Sequence, residues 1–159
     1  MHIAVKNAQI DLPDDSDGSR VNWGAVSAWM RLARVFQKID RRSAEAFRAG
    51  GLTTAQFDVL AQVGAREGCT QQELATLLLV TKGNVVQVLD KMEERGLIVR
   101  QPIQHGRGNQ LYLTEEGKRI RADVVPAQEQ RITSLFDVLS SDEQAELSRL
   151  LRKLDRSLG

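Results

Sequence analysis

The sequence predicts a mainly α-helical chain with one small β-hairpin. Three observations carry this. Apolar residues recur at spacings of three and four through most of the 159 residues. Thr or Ser followed three residues later by Gln or Glu precedes apolar runs at Thr53–Gln56, Thr70–Glu73 and Ser140–Glu143, the pattern of a helix capping box. Only residues 97–100 (Leu-Ile-Val-Arg) and 110–113 (Gln-Leu-Tyr-Leu) read as strands, joined by a Gly-containing loop.

Residues 1–20 hold Asp11, Asp14, Asp15 and Asp17 with Pro13 and Gly18, which predicts an irregular acidic arm. A long helix is expected over residues 21–50. Val26, Trp29, Met30, Ala33 and Phe36 mark one face, and Leu32, Val35 and Ile39 widen it. So broad a stripe predicts burial on two sides. Gly50-Gly51 ends the helix.

Three short helices follow. The first, behind Thr53, turns Phe57, Leu60, Ala61 and Gly64 inward. The second, behind Thr70, carries Leu74, Leu77 and Leu78. The third, behind Thr81, carries Val85, Val88, Leu89 and Met92. In each start the Thr oxygen accepts a free N–H of the first turn. Leu79-Val80 between the last two leaves room only for a tight turn, so the pair makes a helix-turn-helix. Gly96 stops the third helix before the hairpin. Thr114 then opens a helix through Ile120 and Val124, which Pro126 should kink or split. Behind Ser140, Leu147, Leu150, Leu151, Leu154 and Leu158 form a continuous seam.

Composition narrows the chemistry. One cysteine excludes an intrachain disulfide framework and a cysteine-based structural zinc site. His2 and His105 are the only imidazoles, too few for a His-rich metal site or most Ser-His nucleophilic arrangements. Glu93-Glu94 and Glu115-Glu116 are adjacent on helices and point apart, and no Gly-rich phosphate loop follows a strand. The expectation is therefore no enzyme, no cofactor and no metal. The N-terminal stretch lacks a continuous apolar core of a signal peptide, and residues 77–80 form the longest strongly apolar run. A cytoplasmic protein without membrane contact is expected.

With 22 Lys+Arg against 21 Asp+Glu, any affinity for nucleic acid must come from local charge. From Gly96 to Thr114 there is no acidic residue, while Arg100, Arg107 and His105 lie there. A hairpin with a cationic tip suits a phosphate backbone or a narrow minor groove. On the helix before it, Lys82, Asn84, Gln87 and Lys91 point outward. Lysine suits phosphate or guanine, and Asn and Gln suit adenine. Thr81 and Gly83 let the helix start approach a groove closely, where its free N–H groups favour phosphate. An ordinary solvated surface would give each of these residues singly. Their ordered combination points to double-stranded DNA, and a module used only for protein contact is the alternative.

Residues 52–60 (LTTAQFDVL), 70–75 (TQQELA), 81–98 (TKGNVVQVLDKMEERGLI) and 113–117 (LTEEG) together resemble the MarR family of winged-helix transcriptional regulators. The resemblance implies a winged helix-turn-helix DNA-binding domain over residues 51–114. It implies dimerisation helices at 21–50 and 115–159, and a homodimeric regulator, a repressor or an activator, on a pseudo-palindromic operator. The DNA-facing set then comprises Thr70, Thr81, Lys82, Gly83, Asn84, Gln87, Lys91, Arg100, His105 and Arg107. The family wing usually carries Asp-x-Arg before its Leu-Thr pair. Here His105 stands at the Asp position and Arg107 is kept, which leaves the arginine less restrained and offers a wing that tightens as His105 protonates.

Family members often release DNA when a small aromatic or phenolic acid binds. Trp23, Trp29, Arg31 and Arg34 with Asp58 form an aromatic and charged set that is similar to the urate-responsive branch, although aromatic residues at helical spacing also suit a core. Cys69 precedes the Thr70 cap. It reads as a small buried turn residue rather than a redox sensor.

Overall fold

The computed structural model describes residues 22–103 and 108–158, apart from the side chain of Lys82. The acidic arm and the hairpin positions His105 and Arg107 lie outside the described residues. The elements run α1 (Trp23–Ala49), α2 (Thr54–Ala65), α3 (Gln71–Leu77), α4 (Lys82–Glu94), β1 (Ile98–Pro102), β2 (Asn109–Leu113), α5 (Glu115–Phe136) and α6 (Ser141–Leu158). The chain divides into two compact units, residues 1–42 and 43–159.

In the first unit the described chain is helix α1, opened by Asn22, whose Oδ1 accepts the Ala25 N–H at 3.1 Å. Half of its broad apolar stripe is uncovered: Trp29, Leu32, Val35 and Phe36 are exposed, Phe36 at 67%, while Val26, Met30, Ala33 and Ile39 are half-buried. Burial on two sides therefore does not occur among the described residues.

The second unit holds the end of α1 and everything after it. Its core is Phe47, Leu52, Val59, Leu60, Val63, Leu74, Ala75, Val85, Leu89, Met92, Leu97, Ile98, Leu111 and Leu113. The Phe47 ring stacks on Phe57 with centroids 4.1 Å apart. Helix α2 buries Val59 and Val63 beside Leu60, whereas Phe57, Ala61 and Gly64 are only half-buried. The buried face is thus rotated toward neighbouring positions, in a helix that packs against α5 and also against β2, α3 and α4. Both capping boxes close as expected, with Thr53 and Gln56 reciprocally bonded and Thr70 and Glu73 likewise. Ser140 and Glu143 do the same, the Ser140 N–H donating to Glu143 Oε2 at 2.8 Å and the Glu143 N–H to Ser140 Oγ at 3.4 Å.

The strands pair antiparallel with Ile98 opposite Leu113, Arg100 opposite Leu111 and Pro102 opposite Asn109. The hairpin is longer than the sequence suggested, since Gln101 and Pro102 join the first strand and Asn109 the second. On its other edge β2 meets the loop before α3: the Gly68 N–H donates to Leu111 O at 2.8 Å and the Leu111 N–H to Cys69 O at 2.9 Å. Helix α5 runs without interruption through Pro126. A split there does not occur, because the ring removes one donor in a helix with hydrogen bonds on both sides. Helix α6 buries no residue, and Leu150, Leu151, Leu154 and Leu158 of its seam stand exposed.

Candidate nucleic-acid interface

Helix α4 is held from one side and open on the other. Val85, Leu89 and Met92 are buried and Val88 half-buried, while Asn84, Gln87 and Lys91 face solvent. At 100° per residue these three polar positions share one flank of the exposed arc. Thr81 caps the helix, its Oγ1 accepting the Asn84 N–H at 3.4 Å. A Cβ added at Gly83 would meet nothing within 4 Å, so folding does not demand glycine there.

The turn into α4 has a specific construction. Helices α1 and α4 end with a left-handed residue at Gly51 (φ 73°) and Gly96 (φ 66°). Each ends with paired bonds, Leu52 N–H to Phe47 O and Gly51 N–H to Arg48 O in one, Leu97 N–H to Met92 O and Gly96 N–H to Glu93 O in the other. Helix α3 closes in the same way, Val80 N–H to Ala75 O and Leu79 N–H to Thr76 O, a Schellman motif. Its left-handed residue is Leu79, at φ 53° and 92% exposed. A branched side chain there strains the backbone, with no burial in return.

The hairpin departs from the expected charge layout. Arg100, expected to meet phosphate, is shared between two carboxylates of α4. Its Nη2 lies 2.6 Å from Asp90 Oδ1 and its Nη1 2.8 Å from Glu93 Oε2. The stretch from 96 to 114 lacks acids, but the preceding helix supplies them. Sequence reasoning missed this contact, for which Asp90 and Glu93 three apart on one helix side were the available signal. Thr70 is likewise engaged. Its Oγ1 donates to Glu73 Oε2 at 2.9 Å and accepts the Glu73 N–H at 3.2 Å. The Thr70 N–H holds the Glu73 carboxyl below its ordinary pKa, and the hydroxyl adds to this.

A MarR family model matches residues 50–108. An uncharacterized HTH-type transcriptional regulator of Bacillus cereus is 36% identical over 129 residues, covering 80% of this chain and 86% of that protein. The chain belongs to the MarR family. It is thus a winged-helix transcriptional regulator and not an enzyme. Among solved structures, a MarR mutant from E. coli complexed with operator DNA superposes with a TM-score of 0.75 at 29% identity, over 86% of this chain and 99% of that one. The S. aureus MepR–DNA complex gives 0.75 at 22% identity, over 82% and 96%, a likeness of fold.

The residues marked for a MarR-type effector fall in both units. Trp23, Trp29, Arg31 and Arg34 lie on α1 in the first, with Trp23 half-buried and the other three exposed. Asp58 lies half-buried on α2 in the second. Cys69 is buried beside an open cleft of about 270 Å³ lined also by Arg66, Glu67, Gly68, Glu73 and Leu77. Burial pushes its thiol pKa up, and the Glu73 carboxylate adds to this, so it is poorly suited to peroxide chemistry. Among the described residues no group of three or more His, Cys, Asp or Glu is placed to hold a metal ion. No helix among them is long and apolar enough to cross a membrane.

Proposed function

We propose that this MarR-family regulator is a homodimeric, sequence-specific reader of double-stranded DNA that acts as a repressor on a pseudo-palindromic operator. The observation that carries the proposal is α4 itself. Its apolar side is anchored in the core, and Asn84, Gln87 and Lys91 are presented together on the free side behind an open helix start at Thr81 and Gly83. Asn and Gln match adenine edges, and Lys matches guanine or phosphate. Lys82, His105 and Arg107 complete the proposed contact set, with Arg107 reaching a flanking minor groove. Thr70 contributes by fixing the start of α3. The operator DNA held by the E. coli MarR mutant supports the same reading.

Dimerisation through residues 21–50 and 115–159 accounts for the uncovered apolar faces of α1 and α6. Large apolar stripes left in water are what a partner surface relieves. Trp23, Trp29, Arg31, Arg34 and Asp58 are proposed to take a small aromatic or phenolic acid that releases DNA, the indoles supplying stacking and the arginines the carboxylate partner.

Selection of bound duplexes from a random pool, with and without candidate aromatic acids, tests this reading. A recovered palindrome is the expected result. Six phosphate contacts per dimer would give a log–log salt slope of about −5. No duplex binding at low salt would leave a module for protein contact. Recovered palindromes that persist with every acid would remove the effector role alone.

A further inference from the structure

Two carboxylates on the helix offered to DNA need a reason, because each repels phosphate. Val86, Asp90 and Glu93 follow one another at four and three residues along α4. They form a stripe beside the one that carries Asn84, Gln87 and Lys91. Arg100 of β1 lies across that stripe. Its Nη2 donates to Asp90 Oδ1 at 2.6 Å and to Val86 O at 3.4 Å, and its Nη1 to Glu93 Oε2 at 2.8 Å. Its backbone N–H donates to Glu93 Oε1 at 3.2 Å, so Glu93 grips the strand and the side chain together.

Burial separates this arrangement from an ordinary surface pair. The Arg100 side chain is 16% exposed, against 51% for Asp90 and 40% for Glu93. The guanidinium is enclosed, with its fork occupied on both prongs and its Nε buried without a partner. One cation against two anions leaves a net negative charge beside the reading flank. That charge opposes affinity for DNA, so these residues serve another purpose. Beyond Arg100 along β1, no hydrogen bond or ion pair among the described residues ties the hairpin to α4.

We propose that Arg100 is a positioning residue for DNA recognition. Through Asp90 and Glu93 it fastens the hairpin to α4, so that the two elements meet DNA in one fixed relation. The proposal rests on the DNA-reading function given above. A fixed relation rewards only a site whose groove and flank match it. It adds nothing on a random duplex, where phosphate attraction alone acts. The carboxylates thus trade general affinity for discrimination.

The experiment measures binding of the full chain to its selected operator and to a scrambled duplex of equal length. Three proteins are compared: the parent, the double variant Asp90→Asn with Glu93→Gln, and Arg100→Lys. The double variant should bind the scrambled duplex as tightly as the parent or more so, yet bind the operator about tenfold more weakly. Arg100→Lys keeps the charge and loses the fork, so it should show the same fall in discrimination without recovering it. Operator and scrambled binding rising together would show that the carboxylates only repel DNA, and would overturn the proposal. An equal loss on both duplexes would reduce Arg100 to a folding role and also overturn it. If Arg100→Lys fails to fold, the double variant decides alone, since its two sites are half-exposed. A parent that does not distinguish the two duplexes would remove the DNA-reading function itself, a result separate from the other two.

Discussion

Replacing Gly117 by alanine should destabilise the second unit, against the expectation from helix propensity. Gly117 is buried in the first turn of α5, where its N–H donates to Thr114 Oγ1 at 3.0 Å. A Cβ there would collide with the carbonyl oxygen of Leu97, lie 3.1 Å from its carbonyl carbon, and sit 3.5 Å from Leu113 Cβ. The obstacle is backbone, and the same oxygen accepts the Thr114 N–H at 3.1 Å. Beside it, Thr114 Oγ1 donates to Gly96 O at 2.6 Å. Relief requires a backbone shift of about 1 Å, which loosens both contacts at the hairpin exit. Overpacking costs about 1–3 kcal/mol. Weakening the Thr114 cap adds about 1 kcal/mol, and the preference of helices for Ala over Gly returns about 1 kcal/mol. The net loss is about 2 kcal/mol, a fall in Tm of roughly 4–8 °C for a chain of this size. Thermal unfolding followed by far-UV circular dichroism, at matched protein concentration, reads this directly. Gly64→Ala serves as the control. Its Cβ would meet the Arg121 side chain, which can swing away, so its loss should be smaller. A Tm for Gly117→Ala equal to or above the parent would refute the reasoning.

Other outcomes follow from the same structure. Gly83→Ala should leave Tm unchanged or raise it by up to about 1 kcal/mol equivalent, because its Cβ enters open space. The same change should weaken operator binding in a titration, since the added methyl stands where the helix start approaches the groove; unchanged affinity would remove that close approach. Leu79→Gly should raise unfolding stability by about 1 kcal/mol, because it relieves the left-handed strain that Gly51 and Gly96 avoid. Denaturant melts showing a loss would mean that Leu79 is held by contacts absent from the single chain. The Glu73 carboxyl pKa is lowered by the Thr70 backbone N–H and hydroxyl, so its stabilisation is complete above the ordinary glutamate value of 4.5 and disappears as pH falls through the lower folded value. The parent should therefore lose stability toward acid relative to Glu73→Gln, whose amide oxygen caps α3 without titrating; parallel Tm curves from about pH 6 to 3 would refute this.

Local signals were legible because their physics is local. Thr53, Thr70 and Ser140 each satisfy an N–H three residues away, and Gly51 and Gly96 end helices through bonds spanning five residues. Such contacts need no distant partner, so spacing alone reveals them. The face of α2 was read less well. Val59 and Val63 are buried in a helix that α5, β2, α3 and α4 all contact, and a one-dimensional stripe does not say from how many sides a helix is pressed. Leu79 escaped notice for a related reason, since leucine gives no sign of a left-handed backbone.

The sequence by itself determined the order of helices and hairpin, the helix-turn-helix, and the polar set Asn84, Gln87 and Lys91 on α4. Periodicity and caps express interactions within one or two turns. Only the tertiary structure decided that the acid-free hairpin is not charge-free of acids in space. Arg100 meets Asp90 and Glu93 across ten and seven residues of chain, once the stop at Gly96 folds β1 back along α4. Charge along the chain is additive, but ion pairing depends on distances that the turn sets. The same holds for the apolar stripes of α1 and α6. Their periodicity was plain, and their exposure in the single chain emerged only when the remaining elements were in place.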